Sequence, residues 1–296
     1  MVFEFMEPAQ WREKAKPFEI KNFTLSSWVS QNPKDDRPWV LLIHGFPTCS
    51  WDWTPLWPKL EENFNLAAID MLGFGLSQKP SAHDYKITQQ ADFIEGFLEA
   101  NHISKAHILA HDYGVSVAQE LLARHNSHSL IFDIGSICFL NGGLFPAYHR
   151  PRLIQKLALS PLGPIVSRSL SKAKLEKAFQ DIFGPNTKAT AQEIDGHWHF
   201  LSHNNGQKVF HKLMEYMNDR KTNAARWREA MIETHAPLRL INGGQDPISG
   251  KHLYDHYREI IPNADAVLLS DIGHYPQTEA PSHVFDALMD FHTMQG

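Results

Sequence analysis

Cysteine is scarce in this chain. The two residues present, Cys49 and Cys138 in 296, are too few for a disulfide framework and read as reduced thiols of a cytoplasmic protein. An excess of charge of either sign is also missing. Lys and Arg number 28 against 33 Asp and Glu, a formal net charge of −5. That leaves no electrostatic case for nucleic acid and points to a small, neutral partner. No uninterrupted apolar stretch is long enough to span a bilayer, and Glu4, Glu7, Arg12 and Glu13 interrupt the apolar residues where a leader would run. The chain is therefore expected to be soluble, without a membrane partner. Internal repeats and low-complexity segments are lacking too. What is present is a globular balance of 43% hydrophobic and 21% charged residues, in a length that suits one large α/β domain with an insertion or two ordinary domains.

Apolar runs alternate with stretches of helical spacing. Phe18–Ser30, rich in β-branched and aromatic residues, predicts one or two antiparallel edge strands before a loop at Gln31–Arg37. Continuous apolar runs at Trp39–Ile43, Leu66–Ile69, Ala106–Ala110 and Ile134–Leu140 predict strands buried on both faces. Helical spacing falls between them at Thr88–Ala100 and Val115–Arg124. This alternation predicts an α/β fold with a mostly parallel, doubly wound sheet, whose chemistry lies beyond the carboxyl ends of the strands. From Gly143 to about His235 the rhythm breaks into helical patterns such as Ala173–Ile182 and Val209–Met217. It resumes with a strand at Leu238–Ile241, a helix at His252–Ile260, a strand at Ala266–Leu269 and a closing helix at Pro281–Met294. The expected organisation is a core domain from residues 1–142 and 236–296, with a helical lid at 143–235 inserted after the sixth strand.

The stretch His107–Val115 reads strand, sharp turn, helix, with Asp112 at the turn between the small residues Ala110 and Gly114. That is the setting of a nucleophile elbow, in which small flanking residues let the chain push one side chain out over the end of the sheet. An aspartate there can attack a saturated carbon and form an ester between enzyme and substrate. It can also be an ordinary helix cap, accepting from free N–H groups of the first turn. Two more polar residues fall at the carboxyl ends of later strands: Asp246, before Pro247, and His274, in Gly273-His274-Tyr275. Each has a bland reading, as a turn initiator and as one loop histidine among 18. Together they stand in the order nucleophile, acid, histidine, and supply the side chains that a nucleophile, its base and an orienting acid require.

With these residues the chain resembles the α/β-hydrolase superfamily, and within it the epoxide hydrolase and haloalkane dehalogenase branch. The matching motifs are His44-Gly45-Phe46-Pro47, Asp70-Met71-Leu72-Gly73-Phe74-Gly75-Leu76-Ser77, His111-Asp112-Tyr113-Gly114, Gly243-Gly244-Gln245-Asp246-Pro247 and Gly273-His274. Asn141-Gly142-Gly143-Leu144-Phe145-Pro146 and His149-Arg150-Pro151 bring it nearest to the mesoderm-specific transcript group of epoxide-hydrolase-like proteins. The resemblance implies attack by Asp112, hydrolysis of the ester by a water that His274 activates, and Asp246 holding the imidazole. It also implies an oxyanion hole from the backbone N–H groups of Phe46 and Tyr113, and no cofactor.

Two departures separate members of the branch. Its dehalogenases generally place a tryptophan after the nucleophile and often an asparagine after His-Gly to hold halide, where this chain has Tyr113 and Phe46. Epoxide hydrolases use lid tyrosines to protonate the opening oxygen, and Tyr216 and Tyr148 are the two tyrosines of the insert. Epoxide hydrolase-type chemistry on a small apolar substrate is thus expected, with haloalkane dehalogenation or hydrolysis of another ester or lactone as the alternative. A non-catalytic ligand-binding protein on the same scaffold is a second alternative. His197, His199 and His203 lack a strong metal-ligand spacing and read as lid histidines. Asp133 precedes its strand, Ser116 lies inside the helix, and Trp51, Trp53 and Trp57 read mainly as core. Apolar residues of the insert, among them Leu162, Ile165, Phe179, Trp198 and Phe210, suggest a hydrophobic pocket.

Overall fold

The computed structural model describes residues 3–30 and 36–294. The loop expected at Gln31–Arg37 falls largely outside them. Eight strands form one sheet: β1 (Lys16–Ile20), β2 (Phe23–Ser30), β3 (Trp39–Ile43), β4 (Asn65–Asp70), β5 (Lys105–Ala110), β6 (Asp133–Leu140), β7 (Leu238–Gly243) and β8 (Asp265–Leu269). Their order is β1-β2-β4-β3-β5-β6-β7-β8. Phe18–Ser30 resolves into two antiparallel strands, β1 paired with β2 and β2 with β4, while every pairing from β4 to β8 is parallel. Lys21 and Asn22, both at positive φ (47° and 69°), make the two-residue turn whose twist suits a hairpin.

The central strands are apolar all along because both faces are covered. Leu41, Ile43, Ala67, Ile69, Ile108 and Ala110 enter one core cluster, whereas their neighbours Val40, Leu42, Leu66, Ala68 and Leu109 enter the other, as alternation along a strand requires. The helices Ile87–Ala100 and Tyr113–Asn126 contribute to the first cluster and the closing helix Pro281–Thr293 to the second. A short helix at Pro8–Lys14, which periodicity does not reveal, buries Trp11. The Trp11 ring stacks on Trp28 with centroids 4.8 Å apart, and the Trp28 indole donates to the Trp11 carbonyl at 2.9 Å.

Between β6 and β7 the described residues hold helices and no strand. The pattern at Val209–Met217 proves discontinuous, being divided among a 3-10 turn at His203–Val209 and helices at Phe210–Leu213 and Tyr216–Thr222. Helical spacing persists across these breaks because Met214 and Glu215 keep right-handed helical angles. The last helix of the insert, Ala224–Glu233, lies on the core: Trp227 donates to Glu120 at 2.9 Å and Asn126 to the Ala230 carbonyl at 2.9 Å.

Candidate active site

All six parallel strands end on the same edge, and their carboxyl ends deliver the residues that the motifs single out. Asp112 follows β5 at the start of the helix Tyr113–Asn126, with φ 43° and ψ −102°, a conformation that costs a non-glycine residue about 1–3 kcal/mol. Its neighbours permit the turn. A Cβ at Gly114 would lie 2.4 Å from the Ile43 carbonyl oxygen, so only glycine lets the helix start this close to β3. The Asp112 side chain does not cap its helix. Oδ2 instead accepts the Phe46 N–H at 3.0 Å, and Oδ1 lies 3.9 Å from His274 Nε2 and 3.7 Å from Arg220 Nη2.

His274 and Asp246 form a tight pair, Nδ1 to Oδ2 at 2.7 Å. The same Oδ2 accepts the Ser249 hydroxyl at 2.6 Å, the Ser249 N–H at 3.0 Å and the Asn141 amide at 3.0 Å, and Oδ1 accepts the Ile248 N–H at 2.7 Å. Burial opposes charge on this carboxyl, but the His274 cation and these donors outweigh it and hold Asp246 well below the usual carboxylate range. Burial likewise opposes protonation of His274, yet Asp246 and then Asp112 raise it to about 9. Asp112 is held low against burial by His274, Arg220 and the Phe46 N–H. The site at neutral pH is thus a buried carboxylate, imidazolium, carboxylate row.

Phe46 and Tyr113 stand where the motifs place them, the first with its N–H on Asp112 and the second as the residue after it. His44 supports the turn, its Nε2 accepting the Met71 N–H at 3.0 Å and its Nδ1 facing the Gly45 carbonyl at 2.9 Å, and the Phe46–Pro47 bond is cis. Tyr216 is buried beside Phe46 and Tyr113, with ring centroids 5.9 and 5.1 Å away. Burial and the Asp112 charge push its phenol up. Tyr148 is elsewhere: it is 38% exposed and stacked on His256 at 3.6 Å.

Of the other candidates, Ser116 accepts from Arg220 Nε at 2.6 Å, and Asp133 begins β6 at the far end of the sheet. Trp51, Trp53 and Trp57 are buried in the second core cluster. His197 is buried against the Trp51 and Phe179 rings, 3.6 Å from Asp52. Among the described residues no group of three or more His, Cys, Asp or Glu side chains could hold a metal ion.

Four residues that motif reading left unassigned complete the geometry. Asn141 joins two loops: its carbonyl accepts the Asp112 N–H at 2.8 Å while its amide reaches Asp246 and Gly243. Arg220, buried in the insert, donates to the Asp112 carbonyl at 2.8 Å and lies 4.4 Å over the Tyr216 ring. A Cβ at Gly143 would come within 2.4 Å of its Nη1, so the glycine makes room for the guanidinium. His149 lies alongside, and neither its ring nitrogens nor Arg220 Nη1 has a hydrogen-bond partner. Glu279 accepts N–H groups from Gly273 at 2.9 Å, Tyr275 at 2.9 Å and, across the insert, Gly184 at 2.8 Å. In the sequence, Asn141, Gly143 and His149 stand in the matching motifs without an assigned role, Tyr216-x-x-x-Arg220 has the spacing of one helical turn, and Glu279 has no local signal.

Asp112 and His274 open into a cavity of about 260 Å³. Phe46, Leu175, Phe179, Ile182, Phe210 and Ile248 supply apolar wall, and Arg152, Lys174, Lys177 and Asp181 supply charge. Tyr216 lies behind this wall, against Phe46.

A family model described as alpha/beta hydrolase fold matches residues 38–281. Mesoderm-specific transcript protein of Mus musculus is 36% identical over 289 residues, covering 95% of this chain and 86% of its own. Among solved structures, a haloalkane dehalogenase loop variant from Bradyrhizobium elkanii superposes with TM-score 0.78 at 16% identity, covering 95% of this chain and 96% of that one. The epoxide hydrolase CorEH superposes with TM-score 0.75 at 19% identity, covering 95% and 99%. These two likenesses concern the fold. With the family match spanning most of the sheet and insert, the chain belongs to the α/β-hydrolase fold family.

Proposed function

We propose that the protein is a hydrolase that works through a covalent ester on Asp112, and that its substrate is a small apolar epoxide. The observation that carries this reading is the state of Asp112, whose carboxylate turns away from its helix and lies between the Phe46 N–H and His274. A capping aspartate would do the opposite. With Oδ2 on the donor of Phe46, Oδ1 is the oxygen left to attack. Its electron pair forms the bond to carbon, the epoxide C–O bond breaks, and the departing oxygen takes the Tyr216 proton once that phenol, which lies behind Phe46, has turned into the cavity. Burial keeps that phenol protonated until the oxygen becomes basic.

The ester has lost the Asp112 charge, and with it one of the influences that raise His274. At that stage the imidazolium gives its proton up to solvent, to regain it when the Asp112 carboxylate is restored, and becomes a competent base. It takes a proton from water, which attacks Cγ of Asp112, and the charge that develops on Oδ2 falls on the Phe46 N–H, aided by the N–H of Tyr113. On collapse the Cγ–Oδ1 bond of the ester cleaves, the alkoxide that leaves takes the remaining proton of the attacking water, and the diol departs as the Asp112 carboxylate is regenerated. The proton on His274 returns through solvent to Tyr216. Residues 143–235 act in this scheme as the lid over the core formed by 1–142 and 236–296, with the stretch up to Thr222 as roof. The apolar wall fits an uncharged substrate. Among the described residues no tryptophan lines the cavity, and without an indole clamp epoxide opening ranks above halide release.

Replacement of His274 by alanine tests the scheme. Exposed to a panel of epoxides and haloalkanes, the variant is expected to accumulate an ester on the peptide holding Asp112. Mass spectrometry distinguishes the two chemistries, since an epoxide adds its whole mass and a haloalkane only its alkyl group. An adduct elsewhere removes Asp112 from its role, and alkyl adducts alone reverse the order of substrates.

A further inference from the structure

Large apolar side chains exposed to solvent gather on one part of the insert. Leu153 is 72% exposed, Ile165 64% and Leu162 52%, with Ile154 and Leu157 also outside. They occupy two consecutive short helices, Leu153–Ala158 and Gly163–Arg168, and the turn between them. The opposite sides of these helices are buried through Gln155, Ala158, Gly163 and Ser167, so the aliphatic tips form an outward face. Core packing does not account for them. A cluster of this kind marks a surface that meets something apolar.

Charge on the same stretch is of one sign. Residues 150–174 contain Arg150, Arg152, Lys156, Arg168, Lys172 and Lys174 and no Asp or Glu, in a chain whose net charge is −5. Asp181 pairs with Arg152 and Asp195 with Lys172. Arg150, Lys156, Arg168 and Lys174 are exposed and have no carboxylate partner among the described residues. The patch also adjoins the cavity, whose lining includes Arg152, Ile154, Gln155, Val166 and Lys174 together with Asp112 and His274.

We propose that this face docks the protein on the surface of an anionic lipid bilayer, with the cavity mouth toward the lipid. The five exposed residues are all leucine or isoleucine, the side chains that enter the acyl boundary readily, and the surrounding cations match lipid phosphates. A protein-binding face would carry aromatic anchors at its centre, and this one has none. No helix of the described residues is long and apolar enough to cross a membrane, so the contact is peripheral. An apolar substrate dissolved in the bilayer would then reach Asp112 without passing through bulk water. Docking itself depends on the patch and not on the chemistry assigned to Asp112.

Cosedimentation of the full chain with vesicles tests the assignment. Vesicles of phosphatidylcholine containing phosphatidylglycerol should retain the protein at physiological salt, and pure phosphatidylcholine should retain far less. Each cation near such a surface is worth about a factor of five, so Lys156→Glu with Arg168→Glu should weaken binding by at least roughly 25-fold. Leu153→Ser with Ile165→Ser should abolish it, and these exposed positions leave the fold intact, as circular dichroism would check. Absence of wild-type binding, or binding that survives the serine pair, overturns the proposal. A lipid-free dimer that the serine pair disperses would assign the face to a second copy and overturn it equally.

Discussion

On the sheet side of the cavity, Asp246 is fixed by five hydrogen bonds from residues of three loops, and Asp112 by the turn that carries it. On the insert side, Tyr216 is placed by ring contacts, and Arg220 and His149 leave three nitrogens without partners. One side is positioned by backbone, through short polar side chains. The other is positioned by long side chains reaching across from a separate set of helices. The difference teaches that the sheet fixes where Asp112, Asp246 and His274 stand, whereas the insert, through Arg220, adjusts the charge on Asp112.

If that division holds, Asp246→Asn should have the largest effect. Losing the carboxylate removes the main influence that holds His274 at about 9, and hydrolysis of the Asp112 ester should slow by about 10⁴-fold. Rapid-quench measurement should find alkylation nearly intact, and equal slowing of both steps would show that Asp246 supports the whole site and not the imidazole alone. Tyr216→Phe should slow alkylation by about a hundredfold with little change in substrate affinity, and an unchanged rate would leave the ring a purely structural part of the roof. Arg220→Gln should move the acid limb of the alkylation profile to higher pH, because the guanidinium is among the charges that hold Asp112 low. A profile of unchanged shape would confine Arg220 to packing.

The smallest effect concerns stability alone. Burial, with the Arg220 charge, lowers His149 from 6.5 to about 4, so the folded protein keeps it neutral while the unfolded chain protonates it. Its contribution is complete above 6.5 and is lost as pH falls through about 4. His149→Phe removes no hydrogen bond, and should recover about 1–3 kcal/mol of the stability lost over that window. Thermal midpoints measured across it would check this, with an unchanged acid slope counting against a buried neutral imidazole.

The sheet was legible because its central strands are buried on both faces and read as unbroken apolar runs. Asp112, Asp246 and His274 could be located because each follows such a run, and Phe46 and Tyr113 because their motifs place them. The insert resisted the same reading. Its helices are short, and the break between Val209 and Tyr216 leaves their spacing nearly unchanged. Arg220 looks like any surface cation until the fold buries it against Asp112. Asn141 stands in a recognisable motif, but its bond to Asp246, like those of Glu279, joins loops distant in sequence that no local pattern records.

Glu279 gives the site a consequence in time. Its carboxylate holds Gly184 of the insert and Gly273 of the histidine loop together, and the His274 N–H donates to the Ile182 carbonyl at 2.9 Å. Raising the helix Lys172–Ile182 would therefore unfasten the loop that carries the histidine. A passage opening at the helices Leu153–Ala158 and Gly163–Arg168 would leave this joint closed, so that under the proposed chemistry molecules would be exchanged at the mouth without disturbing the histidine loop.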